Sequence, residues 1–177
     1  MRVISAGRNG QRDRPDGWRV AGTYGAVAGS VAAAAFVSAR PIDPGSSWYR
    51  SLDKPSWQPP GWAFPAVWTP LYASVAWAGG HSLAHAGSPD RAALAGALAG
   101  NLALNAAFGW AFFRARTPAA GLALTTALSA SCWDLVRRTS HTDSAAAAAL
   151  VPYAGWCTFA TALNAAIWRR NRGLRRH

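Results

Sequence analysis

Five stretches of this chain contain no Asp, Glu, Lys or Arg: Val20–Ala39, Pro55–Pro89, Ala92–Phe113, Thr117–Trp133 and Ser144–Trp168. A helix that crosses a bilayer needs roughly 17–25 mostly apolar residues, and each stretch can hold one. A soluble bundle would carry charged faces along its helices, and these segments carry none. The mean hydropathy of +0.02 is low for a membrane protein. Alanine and glycine contribute little hydrophobicity, and arginine-rich ends pull the mean down. The second stretch is too long for one helix, and Pro55, Pro59 and Pro60 crowd its first part. Proline in a helix interior breaks the hydrogen-bond ladder, so we read a loop to about Trp62 and a helix from about Phe64 to His85. The expected fold is an all-α integral membrane protein, a five-transmembrane-helix bundle. The bundle spans residues 18–170, with a basic amino-terminal tail at 1–17 and a basic carboxyl-terminal tail at 171–177.

The formal charge of +11 is almost wholly arginine, since Lys54 is the sole lysine and glutamate is absent. Arginines mark the span ends: Trp18-Arg19, Arg114 and Arg116, and Trp168-Arg169-Arg170. Indole settles among lipid headgroups and guanidinium reaches water, so this pairing suits an interface. With cations shared among every loop and both tails, anionic lipid is the expected partner rather than nucleic acid. Arg2, Arg8, Arg12, Arg14, Arg19, Arg91, Arg137 and Arg138 fall on one side of the expected membrane. Arg40, Arg50, Lys54, Arg114, Arg116 and five arginines of the tail region fall on the other, nearly a tie under the positive-inside rule. Val37-Ser38-Ala39 resembles a signal-peptidase site, but the apolar run before it exceeds the usual 7–15 residues. Cys132 and Cys157 lie in separate segments and read as buried thiols, with no disulfide or metal implied.

Trp48, Trp57 and Trp62 share one loop with Pro55, Pro59 and Pro60, and Trp68 follows closely. Such a loop is too rigid and too aromatic for a tether. Phe64, Trp68 and Tyr72 form an aromatic stripe at four-residue spacing on the second helix, which also carries His81 and His85. The histidines could ligate a metal or haem iron, but no third ligand is evident, and they read as interface residues. Asn101, Asn105, Phe108 and Phe112 share a face of the third helix. Asparagine in a membrane helix faces the bundle interior, either bonding another helix or lining a ligand cavity. Tyr153, Trp156 and Ala160 share a face of the fifth helix beside Phe159, near Pro152, where a kink is expected. Pro118 opens the fourth helix. These stripes suit a flat hydrophobic ligand covered by the loop.

The segment "WYRSLDKPSWQPPGWAFPAVWTPLY" closely resembles the signature of the TspO/MBR family, the tryptophan-rich sensory proteins related to the mitochondrial translocator protein. "LALN" at Leu102–Asn105 and "VPYAGWCTFATALNAAIW" at Val151–Trp168 match as well, and the resemblance runs from about Tyr24 to Arg170. It implies a five-helix bundle that binds tetrapyrroles, notably protoporphyrin IX and possibly haem, beneath the first loop, with no required cofactor. Carried over by position, the ligand site falls on Trp48, Tyr49, Trp68, Asn105, Phe108, Trp156 and Ala160. Family members are often dimers, which points to the third helix and its small-residue face at Gly96 and Gly100. Gly25 and Gly29 offer a second such face, one able to seal the bundle. The expected location is a bacterial cell membrane.

Two departures stand out. Leu124 occupies the place of an acidic residue found in many members, and Ala165 replaces the tyrosine of a sterol-recognition pattern, so sterol is not the expected ligand. The leading expectation is a tetrapyrrole receptor or scavenger with a regulatory role, Arg50 or Lys54 meeting the propionates. The alternative is light- and oxygen-dependent porphyrin degradation, with Trp68 and Trp156 as the oxidisable candidates. No acid–base dyad or nucleophile favours ordinary catalysis. A transporter ranks third, because the chain shows no internal repeat.

Overall fold

The computed structural model describes residues 17–172. Of the expected tails at 1–17 and 171–177, only Gly17, Asn171 and Arg172 are among them; the rest of both tails lies outside the described residues. Its elements are α1 (Gly17–Ala39), a short α2 (Ser47–Ser51), α3 (Ala63–His85), α4 (Ser88–Gly109), a π turn (Trp110–Arg114), α5 (Pro118–Ser140) and α6 (Ser144–Arg170). No strand occurs among the described residues. The expected boundaries of α3 at Phe64 and His85 hold to one residue.

Among the described residues, four helical stretches are long and apolar enough to cross a membrane: Gly17–Ala39, Ser88–Arg114, Pro118–Ser140 and Ser144–Arg170. α3 has 23 residues and no formal charge, which is span length. Its two tryptophans, tyrosine, prolines and histidines keep its hydropathy lower than theirs. Among the described residues, five spans is therefore one more than hydropathy alone supports.

The long helices pack as a closed ring in the order α1, α3, α6, α5, α4 and back to α1. Connections at one end are short: Ala86–Gly87 between α3 and α4, and His141–Asp143 between α5 and α6. Asp143 caps α6 by accepting from Ala146 N at 2.7 Å, satisfying an amide that the first turn leaves unpaired. At the other end lies the long α1–α3 connection that carries α2. Val27, Val31, Leu71, Val75, Leu98, Leu102, Leu128, Leu135 and Leu150 form the main core. A second cluster under the loop joins Leu52, Phe112, Leu163 and Ile167 to half-buried aromatic rings.

One helix irregularity, a π turn, lies away from the prolines. α6 continues as one helix through Pro152, while the π turn follows α4, where Ala115 N donates to Trp110 O at 2.8 Å. Among the described residues, four helical glycines closely approach other segments. Gly80 abuts Tyr24, Gly79 abuts Leu98 and Val27, Gly109 abuts Ser38, and Gly121 abuts Phe112. Gly25 and Gly29 have open space around them, so the expected sealing role passes to those four. Arginine–aromatic pairs mark helix ends: Arg19 over Trp18 at 5.2 Å and Arg172 over Trp168 at 4.0 Å.

Candidate functional site

The site is assembled from the loop downward. Ser46 caps α2, accepting from Tyr49 N at 3.3 Å, and so fixes the direction in which Trp48 and Tyr49 project. Their rings meet Phe112 at 5.5 and 6.4 Å, edge-on, and Tyr49 also lies 5.4 Å from Phe113. The π turn matters here because its extra residue per turn sets Phe112 and Phe113 beneath the loop. Phe112 is the hub of the cluster, 3% exposed and stacked on Phe108 at 5.7 Å.

Lys54 does not stand in solvent awaiting an anion. Its ammonium donates to the Tyr49 and Leu52 carbonyls at 2.7 and 3.1 Å and lies 4.8 Å from the Tyr49 ring centre. It braces the loop, which leaves the exposed Arg50 as the freer cation of the two. Gln58 Nε2 donates to Tyr49 Oη at 3.3 Å. Burial holds the Tyr49 hydroxyl pKa above its usual range, and the Gln58 bond partly offsets this.

The loop is held down from the far end of the chain. Asp53 N donates to Asn171 Oδ1 at 3.0 Å and Asn171 Nδ2 donates back to Asp53 O at 2.9 Å. The Arg170 guanidinium bonds the Asp53 carboxylate at 3.3 Å. Asn171, on the tail side of the expected domain boundary, is buried.

Below the loop, α3, α4 and α6 bring their stripes together. Trp68 stacks on Tyr72 at 5.1 Å and meets Tyr153 edge-on at 6.1 Å. Trp156 lies 6.1 Å from Phe64 and 5.2 Å from Phe159, which in turn meets the loop through Trp57 at 5.8 Å. Ala160, one turn beyond Trp156, is half-buried. The asparagines bond between helices, which answers one of the two readings left open by sequence. Tyr72 Oη donates to Asn105 Oδ1 at 2.9 Å, and Asn105 Nδ2 reaches Tyr153 Oη at 3.5 Å. Tyr153 Oη donates to Asn101 Oδ1 at 2.8 Å, and Asn101 Nδ2 ends the chain on Ser131 Oγ and Cys132 Sγ.

The structure thus gathers Trp48, Tyr49 and Phe108 around Phe112, and Trp68 and Asn105 around Tyr72 and Tyr153, with Trp156 alongside. Gly96 and Gly100 lie apart on an exposed face of α4. Leu124 and Ala165 are half-buried. The histidines stand at the other end of the bundle. His81 is thirteen residues along α3 from Trp68, about 20 Å at the helical rise. Its Nδ1 pairs with Tyr24 Oη at 2.9 Å and its Nε2 lies 3.6 Å from Asp143. His81 therefore braces α1 and α3 to the α5–α6 corner. Among the described residues, no three His, Cys, Asp or Glu side chains group to hold a metal.

Sequence reading placed Tyr153 and Phe112 on the helix stripes but not in the ligand site. Tyr153 is the centre of the polar chain, and Phe112 is the aromatic hub, set under the loop by the π turn. The Asp53–Asn171 latch left no local pattern. Chemically, the arrangement offers aromatic faces, a neutral amide-and-phenol chain and a latched cover. That suits holding a flat apolar molecule with a few polar contacts.

The comparisons agree on one family. The TspO/MBR family model matches residues 25–169. The translocator protein of Sus scrofa is 36% identical over 149 residues, 79% of this chain and 85% of its own length. Protein CrtK of Rhodobacter capsulatus is 33% identical over 136 residues, covering 75% of this chain and 82% of the relative. The tryptophan-rich sensory protein of Cereibacter sphaeroides is 31% identical over 128 residues, 70% and 77% of the two chains. A match that runs from within α1 to the end of α6, with the loop and α3, α4 and α5 wholly inside it, means that the chain belongs to the TspO/MBR family.

Proposed function

We propose that this chain is a membrane receptor or scavenger for a tetrapyrrole of the protoporphyrin IX type. The observation that carries the reading is Asn105, a buried amide held between Tyr72 and Tyr153, whose rings both contact Trp68. A planar macrocycle takes its stacking from Trp48, Trp68 and Trp156, and finds a fixed polar contact in the Asn105 amide. Phe108 and Ala160 complete the walls, and the exposed Arg50 meets a propionate. The latched, proline-rich loop is ordered in advance, which lowers the ordering cost of binding. In this reading α3 crosses the membrane as a fifth span, its lower hydropathy reflecting the aromatic stripe it contributes. The membrane is that of a bacterial cell, and a second copy docks on the α4 face at Gly96 and Gly100.

Porphyrin degradation is the second reading, and the proximity of Trp68 to Tyr72 and Tyr153 favours it. An oxidised indole there has two phenols in ring contact. One experiment separates the two. The full chain in detergent is titrated with protoporphyrin IX in the dark by tryptophan quenching, beside Trp68→Phe and Trp156→Phe, and all are then illuminated in air. Saturable binding without protein-dependent bleaching supports the receptor. Bleaching that both variants lose supports degradation. Absence of saturable binding sinks both.

A further inference from the structure

The two ends of the bundle differ in charge. Among the described residues, the loop end holds seven arginines and Lys54 against Asp43 and Asp53, while the other end holds four arginines against Asp90, Asp134 and Asp143. Half of the loop-end cations are engaged within the chain. Lys54 is spent on loop carbonyls, Arg170 on Asp53, and Arg40 and Arg172 lie over the rings of Phe36 and Trp168. Arg50, Arg114, Arg116 and Arg169 have no acidic partner among the described residues. Such an excess gives a field; α6 turns part of it into a site. Ala166, Arg169 and Arg170 stand three and four residues apart and so share a face. Among the described residues they line a cleft of about 450 Å³, enough for a small ligand group. Ala166 lies about 6 Å along the helix from Arg170, toward the bundle, and its methyl group leaves room beneath the two guanidiniums. Trp168, half-buried in the same turn, marks the headgroup level. The hold of Arg170 on Asp53 is loose, at 3.3 and 3.4 Å between side chains 46% and 60% exposed. A second oxyanion can therefore compete for that guanidinium.

We propose that the cleft at the end of α6 binds the phosphate headgroup of an anionic phospholipid, gripped by Arg169 and Arg170, with the glycerol and first acyl carbons against Ala166. Guanidinium forks match phosphate oxygens two at a time. A phosphatidylcholine headgroup brings its own cation, which the same two arginines repel. Inorganic phosphate offers the same oxyanion, but the cleft lies beside Trp168 at the membrane surface, with its floor toward the hydrocarbon, and that position favours the lipid. The bound phosphate draws Arg170 from the Asp53 carboxylate and leaves Asn171 to hold the loop. The lipid around the protein thereby acts on the cover of the aromatic slot.

The test is native mass spectrometry of the full chain in detergent with equimolar phosphatidylglycerol and phosphatidylcholine, and, in a second arm, with inorganic phosphate alone. Phosphatidylglycerol should be retained preferentially. Arg169→Gln should lower that preference about fivefold, the equivalent of about 1 kcal/mol for one arginine. Arg114→Gln, which removes another unpaired arginine of the same end, should leave it unchanged. Equal retention of the two lipids would overturn the proposal. So would an Arg114→Gln variant that loses as much as Arg169→Gln, because the lipid would then answer only the general field. A phosphate adduct that depends on Arg169, with lipid retention that does not, would assign the cleft to the free ion instead. The link to the loop is read by limited proteolysis within 52–62 in phosphatidylglycerol and phosphatidylcholine nanodiscs. Cleavage should be faster with phosphatidylglycerol in the wild type and independent of lipid in Arg170→Gln; equal rates in the wild type would remove that link. None of these readouts involves porphyrin, so the result stands apart from the ligand assignment.

Discussion

Asp53 and Asn171 are 118 residues apart in the chain and exchange two hydrogen bonds, at 3.0 and 2.9 Å. Through this reciprocal pair the end of the last helix holds the first loop over the aromatic cluster. Asn171 also donates to Ile167 O at 2.7 Å, so its amide is fixed before the loop arrives. Asn171→Ala removes the latch and leaves the Asp53 backbone without its partners, at a cost of about 1–3 kcal/mol. Limited proteolysis should cut within 52–62 several times faster in the variant. An unchanged cleavage rate would show that the prolines alone hold the loop.

Asn105 joins α3 to α6 by way of α4. Asn105→Leu keeps the volume near its original value but takes the Asn105 acceptor from the Tyr72 hydroxyl and one of two partners from Tyr153 Oη, which keeps its bond to Asn101. We expect a loss of about 1–3 kcal/mol in stability, read by thermal unfolding, together with weaker quenching by protoporphyrin IX. Full stability in the variant would mean that the two tyrosines find other partners.

The glycines divide into two experiments. A Cβ at Gly121 would lie 2.6 Å from Phe112 Cδ2, so Gly121→Ala pushes the aromatic hub aside and costs about 1–3 kcal/mol. A Cβ at Gly96 or Gly100 meets nothing within 4 Å. With a second copy docked on this face as proposed, Gly100→Leu should leave monomer stability intact and shift the mass from dimer to monomer in size-exclusion light scattering. A dimer that survives the substitution places the interface elsewhere.

Asp143 gives the fold an acid dependence. Its carboxylate caps α6 through Ala146 and faces His81, which hold its pKa below the usual 3.8. A depressed folded-state pKa stabilises above the unfolded value and loses that contribution as pH falls through the folded one. Stability should thus be constant from neutral pH down to about 4 and decline below it. In Asp143→Asn the decline attributable to this group disappears. Melting temperatures of both proteins from pH 6 to pH 3 decide the matter, and parallel curves would remove Asp143 as the source.

Much of the site was legible in advance because helical spacing maps directly onto faces. Residues three or four apart must share a side, so Phe64, Trp68 and Tyr72 were bound to align, as were Asn101 with Asn105 and Tyr153 with Trp156. Lys54 shows the limit of that logic. Its charge suggested a ligand contact, yet two carbonyls of its own loop were closer. Loop hydrogen bonding depends on where the backbone turns, and spacing rules do not reach there.

The sequence by itself determined the class of fold, the position of the helices and which residues of each helix look inward. Those follow from local quantities: the length of uncharged runs, the 3.6-residue period and the cost of charge in an apolar medium. Only the tertiary structure decided the ring order of the helices and the π turn that sets Phe112 under the loop. It also decided the Asp53–Asn171 latch and the polar chain from Tyr72 through Asn105 and Tyr153 to Asn101. Each of these joins segments far apart in the chain. Such pairings arise from packing the whole bundle, where one close approach at Gly121 or Gly80 fixes the register of an entire helix.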